Sequence, residues 1–448
     1  MSPLPSADTE APAPVSLREA SAYWLKLGFV SFGGPAGQIA LMHADLVQRK
    51  RWISEQRFLH ALNYCMVLPG PEAQQLATYI GWLMHRTWGG VIAGGLFVMP
   101  SLAILVMLSW VYLRYGAVPA VAGILYGIKP AVVAIVLFAA WRIGSRTLRH
   151  PLPWSIAAAA FVATFVFGLP FPLIVLTAAC CGHVGARFAP LAFAGRAHAE
   201  GHGTGRPALI DDHTPTPPHA RWSTLRAARV LLWFGGLWAV MLGGLAWWQG
   251  RIGMLTQLGW FFTKAALLTF GGAYAVLPYV FQGAVEQHHW LTAAQMMDGL
   301  ALGETTPGPL IMVVAFVGFV AGWTQPVLGA DGPFASGLAA ASVVTFFTFL
   351  PSFLFILLGA PFIESTHGQL RFTAPLAGIT AAVVGVILSL ALFFAWHVAM
   401  PQGATGAPDI VACLIASAAF AALWRYGAGV IRVIVACGLA GAAVSSWA

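Results

Sequence analysis

Charged side chains are scarce in this chain of 448 residues, where Asp, Glu, Lys and Arg together make up only 8%. A soluble domain carries about 25% charged residues, so this chain has too few charges to cover a water-facing surface. Hydrophobic residues make up 59%, and the mean hydropathy is +0.78. The scarcity of charge therefore excludes an ordinary soluble protein and predicts an all-α polytopic protein in a lipid bilayer.

Basic residues are absent from residues 1–16, which therefore lack the basic region of a signal peptide. Their Pro- and Ala-rich composition predicts a disordered N-terminal tail in the cytoplasm. The net charge of +8 lies mainly in loops, where lysine and arginine set membrane orientation. We therefore do not expect a nucleic-acid partner.

Cofactor signatures are missing as well. The chain has no dinucleotide fingerprint, no Cys-x-x-Cys pattern and no haem motif, so we expect neither an enzyme nor a bound cofactor or metal. All five cysteines lie in apolar context, where a thiol behaves as a small hydrophobic group. We prefer this interpretation of Cys180-Cys181 to a redox or soft-metal pair.

Nine uninterrupted apolar runs have about the length, some 20 residues, that crosses a bilayer. They cover residues 91–113, 119–141, 153–170, 171–190, 229–248, 336–360, 374–396, 408–424 and 428–446. Four further apolar segments are interrupted by glycine or proline: 19–47, 57–84, 254–284 and 294–322.

Loop charge favours one topology over another. If the interrupted segments turn back as re-entrant hairpins, the basic loops 49–57 and 142–149 both face the cytoplasm, as the positive-inside rule requires. We therefore predict nine full spans plus four re-entrant segments in the inner membrane, with the N-terminus and central linker cytoplasmic. Thirteen full spans is the alternative.

A repeat relates the two halves of the chain. Matching residues of the two halves lie 238 positions apart in the first part of the repeat and 251 positions apart in a later part. The spacing stays constant across two helix breaks, which favours a true repeat over chance. The matched pairs are Lys26/Lys264, Phe32/Phe270, Gly33/Gly271, Gly34/Gly272, Trp52/Trp290, Pro69-Gly70-Pro71/Pro307-Gly308-Pro309 and Pro100-Ser101/Pro351-Ser352.

One extra apolar helix between the halves would invert the second half, which gives the inverted-topology repeat of many secondary transporters. The predicted organisation is a tail (1–16), a first repeat (17–190), a polar linker (191–225), a connecting transmembrane helix (226–251) and a second repeat (252–448). The linker is rich in Gly, Pro and His, and we interpret it as a solvated spacer rather than a metal site. Its candidate ligands are His198, Glu200, His202, Asp211, His213 and His219.

The interruptions themselves predict an anion site. A helix that restarts after a break presents unpaired N–H groups and a positive dipole end, and a bilayer tolerates such a break only where protein or a polar cavity satisfies it. Four breaks meeting near the midplane would surround one anion with donors. The predicted anion-binding residues are Lys26, Gly33, Gly34, Gly37, Gln38, Gly70, Gln74, Gln75, Lys129, Lys264, Gly271, Gly272, Thr305, Thr306 and Gly308.

Two carboxylates adjoin the breaks and are predicted to carry protons. Glu72 follows the first Pro-Gly-Pro, and Glu304 precedes the second. The alternative for Glu72 is a helix cap, since a carboxylate is favoured in the first turn of a helix. We interpret His43 and Asp45 as ordinary residues of the membrane interface.

The motifs SFGGPAGQIALMH (31–43), the stretch 61–90 and LGETTPGPLIMVVAFVGF (302–319) resemble the chromate ion transporter family, in its long two-domain ChrA type. The resemblance implies efflux of chromate from the bacterial cytoplasm, driven by the proton motive force, with resistance to chromate. It also implies sulfate as a related oxyanion ligand and two halves of opposite orientation.

Other functions stay open at this stage. An uptake permease for sulfate or a similar oxyanion is the main alternative, because residues alone fix neither direction nor ion. A channel and an intramembrane chromate reductase are weaker hypotheses, the latter because it needs an electron carrier. For the oligomeric state, a homodimer is one expectation.

Overall fold

The computed structural model describes residues 12–32, 34–189, 207–211, 214, 217–329, 332–366, 373–403 and 406–446. Within these residues the chain is helical, and its β-structure is one isolated bridge between Ile53 and Ile210. The helices are α1 (Leu17–Val30), α2 (Gly34–His43), α3 (Glu55–Val67), α4 (Glu72–Tyr115), α5 (Pro119–Thr147), α6 (Pro151–Phe165), α7 (Phe171–Phe188), α8 (Thr224–Gln249), α9 (Met254–Leu267), α10 (Ala273–Phe281), α11 (Ala293–Thr305), α12 (Val313–Thr324), α13 (Pro333–Thr366), α14 (Thr373–Ala399), α15 (Ile410–Arg425) and α16 (Val430–Ser445).

Six of the described helices are long and apolar enough to cross a membrane, namely α4, α5, α7, α8, α13 and α14. Four shorter apolar helices accompany them: 151–165, 310–324, 410–425 and 430–445. Each predicted full span therefore corresponds to one helix, although α6, α7, α15 and α16 begin or end up to five residues inside the predicted runs, and the protein is a multi-pass membrane protein. The number of full spans stays a prediction.

Each of the four interrupted segments consists of two short helices with the break between them. Segment 19–47 forms α1 and α2, and segment 254–284 forms α9 and α10. In segment 57–84, α3 ends before Pro-Gly-Pro and α4 begins after it. The backbone of α4 leaves the helical conformation at His85 and Arg86, so residues 72–84 form a short arm before the long span.

The same series of elements occurs in both halves. A π-helical turn covers 44–49 in the first half and 282–287 in the second, and the following helices α3 and α11 also lie 238 residues apart. Both helices begin at a hydroxyl cap three residues before the donor: Ser54 accepts from the backbone N–H of Arg57, and Thr292 accepts from that of Gln295. Local sequence therefore produces matching local structure in both halves.

The long helices α4 and α13 occupy equivalent places in the repeat and pack antiparallel. Gly90 of α4 lies against Leu357 of α13, whereas Gly94 lies against Phe353. Further along, the ring of Trp110 lies 6.3 Å from that of Phe334. Residue numbers thus rise along one helix as they fall along the other, which is the packing that an inverted repeat requires.

Two main hydrophobic cores lie on either side of this helix pair. One contains residues of α1 to α4 with the C-terminal part of α13, and the other contains residues of α9 to α14 with parts of α4 to α7. Helix α8 has no buried residue, which suits a helix surrounded by lipid. It agrees in position with the connecting helix predicted over 226–251.

The central linker differs from the predicted solvated spacer where it is described. The N–H of Leu209 donates to the carbonyl of Arg51 over 2.9 Å, and that of Ile210 donates to Trp52 over 3.1 Å. Ile210 and Ala220 are buried in the first-half core. The spacer interpretation is wrong for these residues because the apolar run at 208–210 has a backbone edge and a core to pack against.

Candidate functional site

The four breaks meet in the structure through two reciprocal backbone hydrogen bonds. The N–H of Gly70 donates to the carbonyl of Thr269 over 2.7 Å, and the N–H of Gly308 donates to the carbonyl of Ser31 over 2.8 Å. Both donors and both acceptors are equivalent in the repeat, at the 238-residue offset. Each Pro-Gly-Pro break is therefore tied to the Phe-Gly-Gly break of the other half.

Glycine is required at both Pro-Gly-Pro breaks. Gly70 has φ of 130° and Gly308 has φ of 102°, a region that side chains with a Cβ rarely adopt. A Cβ at Gly70 would lie 2.4 Å from Ser352 Oγ, and one at Gly308 would lie 2.7 Å from Ser101 Cβ. The two glycines therefore lie so close to Ser352 and Ser101 of the long helices that any side chain in their place would collide with these serines.

A helix or 3₁₀ turn begins directly after each of the four breaks. Helices α2, α4 and α10 begin at Gly34, Glu72 and Ala273, and a 3₁₀ turn at 310–312 leads into α12. Their N-termini carry unpaired donors and partial positive charge. We call the residues at this crossing the central cradle: Ser31, Gln38, Gly70, Gln74, Gln75, Ser101, Thr269, Gly308 and Ser352.

Three glutamines give the cradle its side-chain amides, and each is at most 1% exposed. Gln38 Nε2 donates to the carbonyl of Gly308 over 2.5 Å, which adds a further link between the halves. Gln75 Nε2 donates to the carbonyl of Pro69 over 2.8 Å, and Gln74 Nε2 donates to Thr78 Oγ1 over 3.0 Å. The structure thus brings together three amides that the sequence predicted.

Several buried polar atoms of the cradle have no hydrogen-bond partner among the described residues. They are Ser31 Oγ, Ser352 Oγ and the Oε1 atoms of Gln38, Gln74 and Gln75. An unpaired buried polar atom costs about 1–3 kcal/mol, so a cluster of five marks a place where a polar ligand or water belongs. The two serine hydroxyls can rotate to present a donor, and the amide nitrogens of Gln74 and Gln75 each make one hydrogen bond to a described residue and keep a second N–H.

The two predicted lysines lie outside the cradle. Lys26 and Lys264 are both exposed, and Lys264 Nζ lies 5.9 Å from the centre of the Trp260 ring. On α1 the stripe facing the core consists of Ala20, Trp24 and Leu27, so a lysine at position 26 projects from the side of the helix. The six-residue spacing to Phe-Gly-Gly gave the distance along the chain but not the direction of the side chain.

The other predicted glycines and threonines form the turns around the cradle. Gly34, Gly271 and Gly272 have positive φ, and a Cβ at Gly37 would lie 2.9 Å from the carbonyl oxygen of Phe32. Thr305 and Thr306 donate their hydroxyls to the carbonyl of Leu302 and so close the end of α11. Gly33 lies outside the described residues.

The two predicted proton carriers have different surroundings. Glu72 is the first residue of α4, the position that the dipole favours, and it is partly buried. Glu304, at the end of α11, accepts a hydrogen bond from the hydroxyl of Tyr274 and interacts electrostatically with Arg142 of α5. Glu304 is therefore held by named partners, whereas Glu72 stands at a free helix start.

Lys129 has a partner that the sequence analysis missed. Its Nζ lies 3.9 Å from Asp298 Oδ2, and the hydroxyl of Tyr112 donates to the same oxygen over 2.9 Å. Asp298 is 2% exposed. A lone aspartate inside an apolar segment is a recognised sign of function in membranes, so its position in segment 294–322 was the available signal.

A second buried carboxylate was also missed. Glu364 of α13 is 9% exposed, and it accepts from the hydroxyl of Tyr79 over 2.5 Å and from Arg57 over 3.5 Å. Arg57 also donates to the carbonyl of Thr214 in the linker over 2.6 Å. In the sequence, Glu364 lies four residues beyond the predicted span 336–360. Sequence alone does not distinguish a glutamate at such a position from an ordinary residue of the membrane interface.

The remaining polar residues make local contacts. His43 pairs with Glu55 over 2.6 Å and Asp45 with Arg49 over 2.8 Å, as suits residues of an interface. His219 Nε2 lies 3.1 Å from the carbonyl of Trp82, and burial lowers the pKa of its imidazole. Of the other linker candidates, His198, Glu200, His202 and His213 lie outside the described residues. Within the described part of the chain, no three His, Cys, Asp or Glu side chains are grouped to hold a metal.

Comparison with known proteins gives a consistent result over nearly the whole chain. Residues 19–183 and 256–442 match the profile of the family described as chromate transporter. A chromate transport protein of Pseudomonas aeruginosa is 33% identical over 97% of this chain and 94% of its own length. One of Cupriavidus metallidurans is 30% identical over 85% of this chain and 83% of its own length. No solved structure matches the chain.

Proposed function

Because this chain belongs to the chromate transporter family, we propose that it is a secondary transporter that exports chromate from the cytoplasm, driven by the proton motive force. The observation that carries the proposal is the central cradle, where the hydroxyls of Ser31 and Ser352, unpartnered among the described residues, and three buried amides lie beside the breaks of four helices. A tetrahedral oxyanion offers four acceptor oxygens, which this donor set can bind from several sides.

Charge compensation in the cradle comes from backbone dipoles. Each helix N-terminus is equivalent to roughly +0.5 elementary charge, so the four helix starts together supply about +2. That value matches the charge of a dianion. We therefore place the bound dianion between the helix starts, with the second N–H of Gln74 and Gln75 and the hydroxyls of Ser31 and Ser352 as hydrogen-bond donors. Gln38 holds the carbonyls of Gly308 and Ser31, and the exposed lysines lie outside this contact.

The driving force acts on the charge of the substrate. When the cytoplasm is negative, the membrane potential favours export of a dianion by about 4.6 kcal/mol per 100 mV, which is twice the value for one elementary charge. An ionised Glu72 at the start of α4 would oppose a dianion in the cradle. Protonation of Glu72 would therefore favour anion binding, and a proton that leaves with the anion reduces the exported charge to −1, which the membrane potential still drives outward.

The test is flux of radiolabelled chromate into inside-out vesicles under an imposed membrane potential or pH gradient. We expect saturable uptake that rises with the imposed membrane potential, responds to the imposed pH gradient and is inhibited by sulfate. Uptake equal to that of protein-free vesicles would contradict the proposal.

A second candidate function is an uptake permease for sulfate or a similar oxyanion. The cradle suits sulfate as well as chromate, because its donors bind the four oxygens of a tetrahedral dianion rather than its central atom. Sulfate uptake into right-side-out vesicles, without chromate export, would favour this function.

A further inference from the structure

Two ion pairs with buried carboxylates lie outside the cradle and join the halves of the molecule; the Lys129 side chain is a third exposed. In the first, Glu364 of α13 is held by Arg57 of α3 and Tyr79 of α4, at 3.5 and 2.5 Å. In the second, Asp298 of α11 is held by Lys129 of α5 and Tyr112 of α4, at 3.9 and 2.9 Å. Each pairs a second-half carboxylate with a first-half cation and a first-half tyrosine.

The two clusters lie at opposite ends of the antiparallel pair α4 and α13. Glu364 follows the cradle residue Ser352 by twelve positions, and Tyr112 follows Ser101 by eleven positions. At 1.5 Å per residue these separations are about 18 Å and about 16 Å along the respective helices. Because the helices run in opposite directions, one cluster lies on each side of the cradle.

Each cluster can hold the two halves together in one conformation and separate in another. A buried ion pair contributes little net stability because desolvation offsets its attraction, and its best-attested role is to specify one arrangement. Opening an end of the molecule must part the two halves there, and this separates the carboxylate from its cation. The freed cation then faces the pathway with its charge uncompensated, which favours an arriving dianion.

We infer that Arg57–Glu364–Tyr79 and Lys129–Asp298–Tyr112 are the two gates of one oxyanion pathway, and that Arg57 and Lys129 receive the anion when their gates open. The inference rests on the proposed function for the identity of the anion. It assigns roles to Asp298 and Glu364, which differ from the proton carriers Glu72 and Glu304. It also gives Lys129 a place at the mouth of the pathway instead of in the cradle.

The test uses a cysteine reporter in the cradle. In a full-length protein whose five cysteines are replaced, Ser352→Cys is labelled with a membrane-impermeant thiol reagent from either face of oriented vesicles. A minor open state is populated at roughly 0.1–10%, so we expect Glu364→Gln to raise the labelling rate about tenfold from one face. Asp298→Asn should raise it by a similar factor from the opposite face.

Two further variants guard against a misfolded protein. Glu55→Gln removes an interfacial carboxylate from the helix that carries Arg57 and should leave labelling at the parent rate from both faces. The double variant Arg57→Glu, Glu364→Arg restores an ion pair and should return labelling towards the parent rate. Equal increases from both faces, or no increase with either carboxamide variant, would overturn the gates.

The anion contact is tested separately from the gates. Chromate added to the face opened by Glu364→Gln should slow labelling, and this protection should be lost when Arg57→Gln is added. Labelling does not depend on transport. If each carboxamide variant is labelled faster from one face but the protein transports no chromate, the proposed function is refuted and the gates are not. Undiminished protection with Arg57→Gln would refute the role of Arg57.

Discussion

The two halves place the same backbone around the cradle but line it with different side chains. Gln38, Gln74, Gln75 and Thr78 of the first half are polar, whereas the residues 238 positions later are apolar. Those counterparts are Val276, Met312, Val313 and Phe316, all of them buried. The broken helices therefore occur in both halves, and the side-chain amides occur in the first half alone among these equivalent positions.

The difference has a physical reason. Breaks are needed on both sides, because each Pro-Gly-Pro donates its N–H to the other half and each supplies a helix start. Amides are needed only in sufficient number to complete the hydrogen bonds of one ligand. An unpaired amide facing an apolar core would cost free energy without a partner, so the second half fills its equivalent positions with hydrophobic side chains.

The largest effect is expected where the halves are alike. Gly70→Ala and Gly308→Ala both place a Cβ against a serine, at a positive φ that costs alanine about 1–3 kcal/mol. A shift of about 1 Å at a site can cost about a hundredfold in rate, so chromate flux should fall by at least that factor in both variants. Gly95→Ala is the control, since a Cβ there meets no described atom within 4 Å. Normal flux in only one glycine variant would break the equivalence of the halves.

The next effect should separate the halves. Gln38→Val gives the first half the residue of the second and leaves the buried carbonyl of Gly308 without its amide donor. An unpaired buried group costs about 1–3 kcal/mol, so we expect the affinity for chromate to fall by about 5–150-fold. Val276→Gln in the same protein should not restore it, because its position faces the other half of the cradle. Saturation curves of chromate flux measure both variants, with Gln257→Val as control, since Gln257 is a half-buried glutamine of α9 that bonds the carbonyl of Ile252. Unchanged affinity in Gln38→Val would remove the amide from the site.

A smaller change in rate is expected for the carboxylates, which have no equivalents across the repeat. Glu72→Gln should keep flux within about tenfold of the parent protein but lose its response to an imposed pH gradient, because the linked proton has no site. Flux is measured with the pH gradient and the membrane potential imposed separately. Glu304→Gln tests whether the carboxylate held by Tyr274 takes part as well. A pH response that survives in Glu72→Gln would make Glu72 a helix cap.

The smallest effect is expected for the lysines, the feature that the halves share most visibly in sequence. Exposed charges contribute about 0–1 kcal/mol, so Lys26→Ala and Lys264→Ala should each change chromate flux by less than about fivefold. Flux is compared at equal amounts of protein in the membrane. Complete loss in either variant would return that lysine to the anion site, as its place beside the break first suggested.

Much of the architecture follows from local chemistry that sequence carries directly. Glycine and proline break helices wherever they occur in a run, so the four breaks and their flanking helices were predictable from residue type. The matching offsets placed equivalent elements in both halves. The amides Gln38, Gln74 and Gln75 were predictable because few polar residues adjoin the breaks.

What sequence left open depends on how helices turn against their neighbours. The direction of Lys26, the partners of Asp298 and Glu364, and the burial of Ile210 each require the position of another segment far along the chain. A helix rotates its side chains by about 100° per residue, so spacing along the chain gives no orientation until a core-facing stripe is known. Helix breaks are decided by single residues, whereas the cradle and its ion pairs exist only where the two halves meet.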